Sequence, residues 1–403
     1  MTSKPSSDFV IIGAGIIGLA IAHELISRNP SLSIVVLDKE SDAGTHASGR
    51  NSGILHAGFY YSPESLKARL TREGNKLLRD FLDQHKVPVI STGKVVVVSH
   101  DSQIETLHLL ASRAQANGVD VSLISQGELS QLEPRARTCE LALWSPTTSV
   151  ADPRNVIDTM AAAVKSAGVA IHFGQEVMQV THNEVHTKSD TFVTGHVINA
   201  AGLYADKIAQ QCNFGHEYVM LPFKGLYWYA DVPQGFMTRQ VYPVPDVRNP
   251  FLGVHVTLTA KGKVKIGPTA IPGFWRENYT GLSNFSGREF AETLTAYPRF
   301  LTSKHHNAWD LVKQEFPKYL RHVMISQAQE LVPSLPSSAF KTRGQVGIRA
   351  QLFNVRKKRL EMDFIIEGDK YSTHMLNSVS PAWTSSMAVA KYVVTDLEQR
   401  QVL

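Results

Sequence analysis

A run of β-branched and aromatic residues, Asp8-Phe-Val-Ile-Ile, breaks at once into Gly13-Ala-Gly15-Ile-Ile-Gly18, and this junction restricts the chain more than any other segment. An apolar-periodic stretch from Ile16 to Arg28 follows, then a second β-branched run, Ser33-Ile-Val-Val-Leu-Asp38. Strand, glycine turn, helix and strand in that order describe a βαβ unit. Gly13 permits the tight turn, Gly15 lets a pyrophosphate approach the backbone, and Gly18 lets the helix pack against its strand. The free N–H groups of the helix N-terminus would face the phosphates. Asp38 ends the second strand 20 residues after Gly18, where a carboxylate meets ribose hydroxyls. The unit is built to hold a dinucleotide.

A second glycine-bearing segment follows: Thr45-His-Ala-Ser-Gly-Arg50-Asn-Ser52-Gly53-Ile-Leu-His56-Ala-Gly58-Phe-Tyr60-Tyr61. Small residues at this density bring backbone close to a bulky planar group. An extended FAD needs such a loop beside its second phosphate and ribityl chain; a nicotinamide dinucleotide has no evident use for it. At this point the chain resembles the D-amino-acid-oxidase superfamily of flavoproteins. The run Asn51 to Gly58, with Tyr60-Tyr61 and Ser65-Leu-Lys-Ala-Arg69, resembles the L-2-hydroxyglutarate dehydrogenase/oxidase family in particular. The likeness continues in order through Val197-Ile-Asn-Ala-Ala201-Gly202-Leu-Tyr-Ala-Asp206, Pro222-Phe-Lys224-Gly225, Val241-Tyr242-Pro-Val-Pro-Asp246, Phe251-Leu-Gly-Val-His255, Gly347-Ile-Arg349 and His374 to Ala382. It spans almost the whole chain.

The resemblance implies an α/β Rossmann-like FAD-binding domain, discontinuous in sequence (8–92, 148–218 and 336–398), and an antiparallel-sheet substrate domain (93–147 and 219–335). It also implies FAD contacts at Gly13, Gly15, Gly18, Asp38, Ser52, Gly53, Val177, Ala201, Gly202, Ser380 and Pro381. Covalent flavin attachment to histidine occurs in related dimethylglycine-dehydrogenase-type enzymes within Trp-His-Ala-Ala-Gly; Leu55 stands in place of that tryptophan here, so non-covalent FAD is expected.

Local patterns agree with this layout. Asp152-Pro-Arg-Asn-Val-Ile-Asp158 predicts a helix with an acidic cap and proline in its first turn, running to Gly168. Strands follow at 169–173, 176–182 and 192–199. Lys94 to Ser99, Gly225 to Asp231, Phe251 to Leu258 and Lys263 to Gly267 read as strands, the last two flanking a turn at Ala260-Lys-Gly262. Along 251–258, His255 and Thr257 point away from the face carrying Leu252, Val254, Val256 and Leu258. Residues 284–328 are helical, with Arg288, Arg299, Lys304, Lys313, Lys318 and Arg321 among Phe285, Phe290, Phe300, Trp309, Phe316 and Tyr319. They are either a solvated helical layer on the substrate sheet or a membrane-docking face.

The expected reaction is hydride removal from C2 of a 2-hydroxy acid, with FAD as acceptor and 2-oxoglutarate as the product implied by the family. Such a reaction needs cations for the carboxylate and a base for the hydroxyl proton. Arg349 resembles the superfamily's carboxylate-binding arginine, and a planar guanidinium suits that bidentate contact. His56 and His255 are rival bases. Lys224, Tyr60 and Tyr242 are candidates for the rest of the substrate, with Tyr61 and Arg50 as weaker ones. The helix beginning near Trp383 would bring its positive end to the flavin ring. Oxidation of an amino acid or glycerol 3-phosphate on the same scaffold stays open, as does a non-catalytic flavin-binding interaction protein.

Bulk properties narrow the classes. With 43% hydrophobic and 19% charged residues the 403-residue chain is an ordinary globular protein. A net charge of +5 suits an anionic cofactor and substrate, and no basic stripe of the nucleic-acid-binding kind appears. Cys139 and Cys212 lack metal or redox spacing, and no metal is expected. Without an apolar leader or an 18-residue apolar run, the expected location is cytoplasmic, with peripheral contact at the inner face of the cell membrane left open. The expected partners are a small 2-hydroxy acid and a quinone or other electron acceptor.

Overall fold

The computed structural model describes residues 6–248, 251–303 and 308–403, so Lys304 of the basic-aromatic stretch lies outside the described residues. The glycine junction folds as its sequence predicts. Strand Ser6–Ile12 leads into helix Ile16–Arg28 and returns as strand Ile34–Leu37. Ser6–Ile12 lies parallel to both Ile34–Leu37 and Thr191–Asn199. Ala170–His172 extends this parallel sheet beyond Ile34–Leu37, and Ser372–Met375 pairs in parallel with Thr191–Asn199. A small antiparallel addition, Val177–Val180 and Glu184–Thr187, completes one side.

The central strand is buried on both faces, with Val10 and Ile11 fully inaccessible, as its unbroken apolar run requires. Helices Ile16–Arg28, Leu66–Gln84, Pro153–Ser166 and Ala382–Gln399 contribute to the largest apolar core through Leu19, Leu78, Met160 and Val393. Helix Pro153–Ser166 begins as the sequence predicts, with the Asp152 carboxylate accepting from Arg154 N–H at 3.0 Å.

A second eight-stranded sheet runs in the order 342–343, 228–230, 264–267, 255–258, 240–243, 94–97, 141–145, 122–125. It is antiparallel except where Gln240–Pro243 runs parallel to Lys94–Val97. A four-stranded sheet places Tyr218–Gly225 between Ile271–Pro272 and Gly347–Asn354, with Arg359–Leu360 outermost. Segments 342–343 and 347–354 therefore hydrogen-bond to strands of the 218–230 region, whereas 366–375 and 382–399 join the nucleotide-side layer.

Two strand expectations are corrected. The expected strand 225–231 is two elements: Tyr218–Gly225 ends where Leu226 N–H donates to Thr269 Oγ1, and a new strand covers Trp228–Ala230. The expected strand 251–258 begins only at His255, because Gly253 at φ 75° breaks the extended backbone. The turn at 260–262 forms, closed by Thr259 N–H to Lys263 O. Residues 287–301, 308–315 and 321–331 are helical, as expected for the basic-aromatic stretch. Among the described residues no helix is long and apolar enough to cross a membrane.

Candidate active site

A cavity runs from the Gly13 turn to the second large sheet, lined by residues of every layer. Its nucleotide end is cut to shape by missing side chains. A Cβ on Gly13, whose φ is 109°, would come within 2.5 Å of Ala200 O, so only glycine fits where two strand ends meet. Gly15 precedes the helix, whose first N–H, on Ile16, donates to Ser48 Oγ at 2.9 Å. The Asp38 carboxylate accepts from Ala14 N–H at 2.7 Å and from Glu40 N–H at 2.9 Å. Those bonds fix it at the cavity wall with further lone pairs for ribose hydroxyls. Burial nevertheless raises its pKa, the two backbone bonds offsetting only part of that effect. Val177, Ala201, Gly202 and Ser52 line the same chamber.

Four consecutive residues of the 275–286 loop stand behind this end, and three of them brace the lining residues Leu203, Lys39, Tyr204, His46 and Arg50. Arg276 is buried and makes a bidentate pair with Asp206, at 2.6 and 2.9 Å, while also donating to Leu203 O. Glu277 takes Lys39 Nζ and, at 2.9 Å, the Tyr204 hydroxyl. Asn278 Oδ1 accepts from Lys224 Nζ at 3.0 Å. The Tyr279 hydroxyl lies 2.6 Å from His46 Nδ1, and its ring carries the Arg50 guanidinium at 4.2 Å. Burial opposes charge on Lys39 and Glu277, but the hydrogen bond and attraction between them prevail, raising the lysine and lowering the carboxylate. Ligand-type atoms of Glu40, His46 and Glu277 also converge within 4.8 Å of one another, with His46 Nε2 bonded to Glu40 at 2.9 Å and Glu277 taken by Lys39.

The far end is assembled from four distant segments. His56 leaves strand Ile54–Leu55, and its own N–H donates to Thr384 Oγ1 at 3.1 Å. His255 heads strand His255–Leu258, and its ring lies on Tyr242 with centroids 3.7 Å apart and planes 16° apart. Its Nδ1 is 3.0 Å from Gly253 O, so that nitrogen carries the proton and Nε2 keeps a lone pair. Arg349 comes from Gly347–Asn354 opposite Phe223, with its guanidinium 5.2 Å over the Phe251 ring. Ser380, Pro381 and the first residues of helix Ala382–Gln399, including Trp383 and Thr384, complete the wall.

Electrostatically this end is kept uncharged at its histidines. Burial, then the charges of Lys94 and Arg349, lower His56 to about 3. His255 is lowered well below its ordinary value, chiefly by burial, with the Gly253 bond opposing and Arg349, His56 and Lys94 reinforcing it. Burial lowers Arg349 from a very high starting value. His56 Nδ1 and Trp383 Nε1 are buried with no hydrogen-bond partner among the described residues. Buried donors and acceptors are ordinarily paired, so orphans along a cavity mark places for a polar ligand.

Of the expected site residues, His56, His255, Arg349, Tyr242, Gly13, Gly15, Asp38, Ser52, Val177, Ala201, Gly202, Ser380 and Pro381 line one cavity, as does Arg50. Gly18 and Gly53 stand behind it and serve packing. A Cβ would meet Gly13 O at 2.0 Å from Gly18, and Ala151 O at 2.1 Å from Gly53. Two substrate candidates are displaced. Cross-strand pairing puts Lys224 opposite Ile348 and Arg349 opposite Phe223, so strand alternation turns Lys224 to the other face, toward Asn278. Tyr60 packs into a core with Phe59, Val96 and Leu143.

Sequence reasoning missed Tyr227 on the cavity wall, the 276–279 closure and Lys94, which read only as the start of a valine-rich strand.

The family model for FAD-dependent oxidoreductases of the DAO type matches residues 8–395. The chain belongs to this family. Its FAD has a fitting place in the cavity, where glycines replace side chains at Gly13 and Gly15 and Asp38 waits at the second strand end. Curated relatives include the L-2-hydroxyglutarate dehydrogenase of Indibacter alkaliphilus, 36% identical over 391 residues, covering 94% of this chain and 96% of the relative. The mitochondrial L-2-hydroxyglutarate dehydrogenase of Caenorhabditis elegans is 33% identical over 412 residues, covering 98% and 94%. Among solved structures, FAD-bound L-α-glycerophosphate oxidase from Mycoplasma pneumoniae superposes with a TM-score of 0.77 at 22% identity, over 98% of this chain and 95% of that one. Glycine oxidase from Geobacillus kaustophilus gives 0.75 at 18%, over 98% and 95%. These two share the fold of this flavoenzyme.

Proposed function

We propose that the protein oxidises L-2-hydroxyglutarate to 2-oxoglutarate. The observation that carries the reading is Arg349 and two neutral histidines on one cavity wall, in a chain 36% identical to a relative of that name. Bound FAD, held non-covalently, supplies the hydride acceptor. Arg349 pairs with the C1 carboxylate and so aims C2. His255 takes the hydroxyl proton at Nε2, the nitrogen left free by the bond from Nδ1–H to Gly253 O. Tyr242 holds that imidazole flat against its ring. His56, attached through its backbone to Thr384 at the helix N-terminus, stands on the cofactor side.

The cofactor lobe of this reading comprises 8–92, 148–218 and 336–398, and the substrate lobe 93–147 and 219–335, except that 342–343 and 347–354 pair with strands of the 218–230 region. The electron acceptor in this reading is a quinone, met by a cytoplasmic protein at a membrane surface. Exposed Leu282, Phe285, Leu294, Trp309 and Phe316 near Arg288 and Lys313 support that contact. Quinone reduction at equal rates with and without liposomes would remove it. The substrate is tested by anaerobic bleaching of the purified yellow protein with L- and D-2-hydroxyglutarate, glycerol 3-phosphate, D-alanine and glycine. Rapid bleaching by the L-hydroxy acid alone is expected; bleaching by the phosphate or an amino acid instead overturns the reading.

A further inference from the structure

Lys94 is fully buried at the start of strand Lys94–Val97, and its Nζ has no hydrogen-bond partner among the described residues. Three rings surround the ammonium: Tyr60 at 4.6 Å, and Phe59 and Tyr242 at 4.8 Å each. Cation–π attraction to three ring faces offsets part of the cost of burying a charge, but supplies no anion. One of those rings, Tyr242, faces the cavity and stacks on His255. The two cations whose charges reach both His56 and His255 are Arg349 and Lys94. Burial lowers Lys94 to about 7, so its charge is easily lost or restored by a neighbouring ion.

Among the described residues Lys94 has no counter-ion, and it stands behind the cavity wall with Tyr242 between it and His255. One carboxylate of a substrate is accounted for by Arg349. Lys224, the sequence candidate for a second, is turned away and bonded to Asn278. We infer that Lys94 is the charge complement of the substrate's second carboxylate, acting across the Tyr242–His255 stack to make the enzyme prefer a dicarboxylate. The inference rests on the proposed oxidation of a 2-hydroxy dicarboxylate. Lys94 is a specificity-determining residue in this account. Attraction across several ångströms of partly shielded interior is enough for about a tenfold difference in affinity.

The test compares the holoenzyme with Lys94→Met and Lys94→Gln, both checked for flavin content and folding by near-ultraviolet circular dichroism. Two readouts are used. The first is kcat/KM for L-2-hydroxyglutarate against (S)-2-hydroxyvalerate, which has the same chain length and one carboxylate. The second is perturbation of the flavin spectrum by glutarate against butyrate, which requires no turnover. In both variants the dicarboxylate should lose about tenfold in kcat/KM and in affinity, chiefly through KM, while the monocarboxylates shift by less than about threefold. Equal losses for both ligands, no loss for either, or a wild-type preference absent in both readouts overturns the inference. Failure of wild-type enzyme to oxidise L-2-hydroxyglutarate, with glutarate still bound more tightly than butyrate and only in the presence of Lys94, overturns the substrate reading and leaves the dicarboxylate preference standing. Should Met disturb packing of the aromatic cage, the Gln variant, which keeps a polar end without charge, decides the outcome.

Discussion

The two ends of the cavity follow opposite rules. At the nucleotide end the polar groups are satisfied: Asp38 by two backbone donors, Arg276 by Asp206, Glu277 by Lys39 and Tyr204, His46 by Tyr279 and Glu40. At the reaction end the groups are buried and left open: His56 Nδ1 and Trp383 Nε1 lack partners among the described residues, and both histidines are held neutral by desolvation. Saturation suits permanent retention of a cofactor. Unpaired groups suit a ligand that arrives, reacts and leaves, since its binding supplies the missing bonds at each turnover.

Substitutions can break this contrast. Arg349→Ala should have the largest effect, lowering kcat/KM by about a thousandfold because a buried carboxylate loses its bidentate partner. Flavin content should stay normal, and steady-state kinetics with absorbance at the flavin band check both. Next, Asp206→Ala strands buried Arg276 and also removes the acceptor of Met220 N–H. A loss of about 3 kcal/mol in urea unfolding is expected, since breaking a buried pair leaves an uncompensated charge. A loss below 1 kcal/mol would show that this end is not held by its ion pairs.

Asp38→Ala should weaken FAD binding by about tenfold, measured by refolding the chain from urea at graded FAD concentrations, with kcat of the saturated enzyme little changed. The last effect, equal per pH unit and per group to a tenfold change in affinity, comes from the neutral histidines. In the unfolded chain each takes a proton near 6.5, whereas in the folded chain His56 does so near 3 and His255 far below 6.5. The unfolded state therefore binds more protons below 6.5, and stability falls as pH is lowered from 6.5 toward those depressed values. His255→Gln should flatten that fall by about 1.4 kcal/mol per pH unit in the window, read from unfolding midpoints at several pH values.

The same contrast explains what the sequence revealed. The nucleotide end is built from contiguous segments, so Gly13 to Gly18, Asp38 and the loop from Thr45 onward could be read directly, because local backbone geometry dictates those residues. Arg349 and the histidines were found through motif resemblance, although nothing local shows that 56, 255 and 349 meet. The face of Lys224 is not legible because a one-residue step along a strand reverses a side chain, and its pairing with Ile348 is not visible in one strand alone; Tyr60 lies outside any strand, and its packing with Val96 and Leu143 depends on distant segments. Lys94 was overlooked because a strand-initial lysine is ordinarily solvent-facing, and its aromatic cage is drawn from residues 59, 60 and 242. The closure by 276–279 has no local signature at all: each of its residues bonds to a different, distant element.

That closure bears on how the active protein comes into being. Arg276, Glu277 and Tyr279 tie a loop of the substrate side to Asp206, Lys39 and His46, behind the wall of the chamber suited to the adenosine half of the cofactor. Three knots set side by side are slow to undo together, so FAD should be captured while the chain is still folding rather than slipped into a finished shell. Flavin supply during synthesis, more than flavin added afterwards, should then determine how much of the protein in a cell is active.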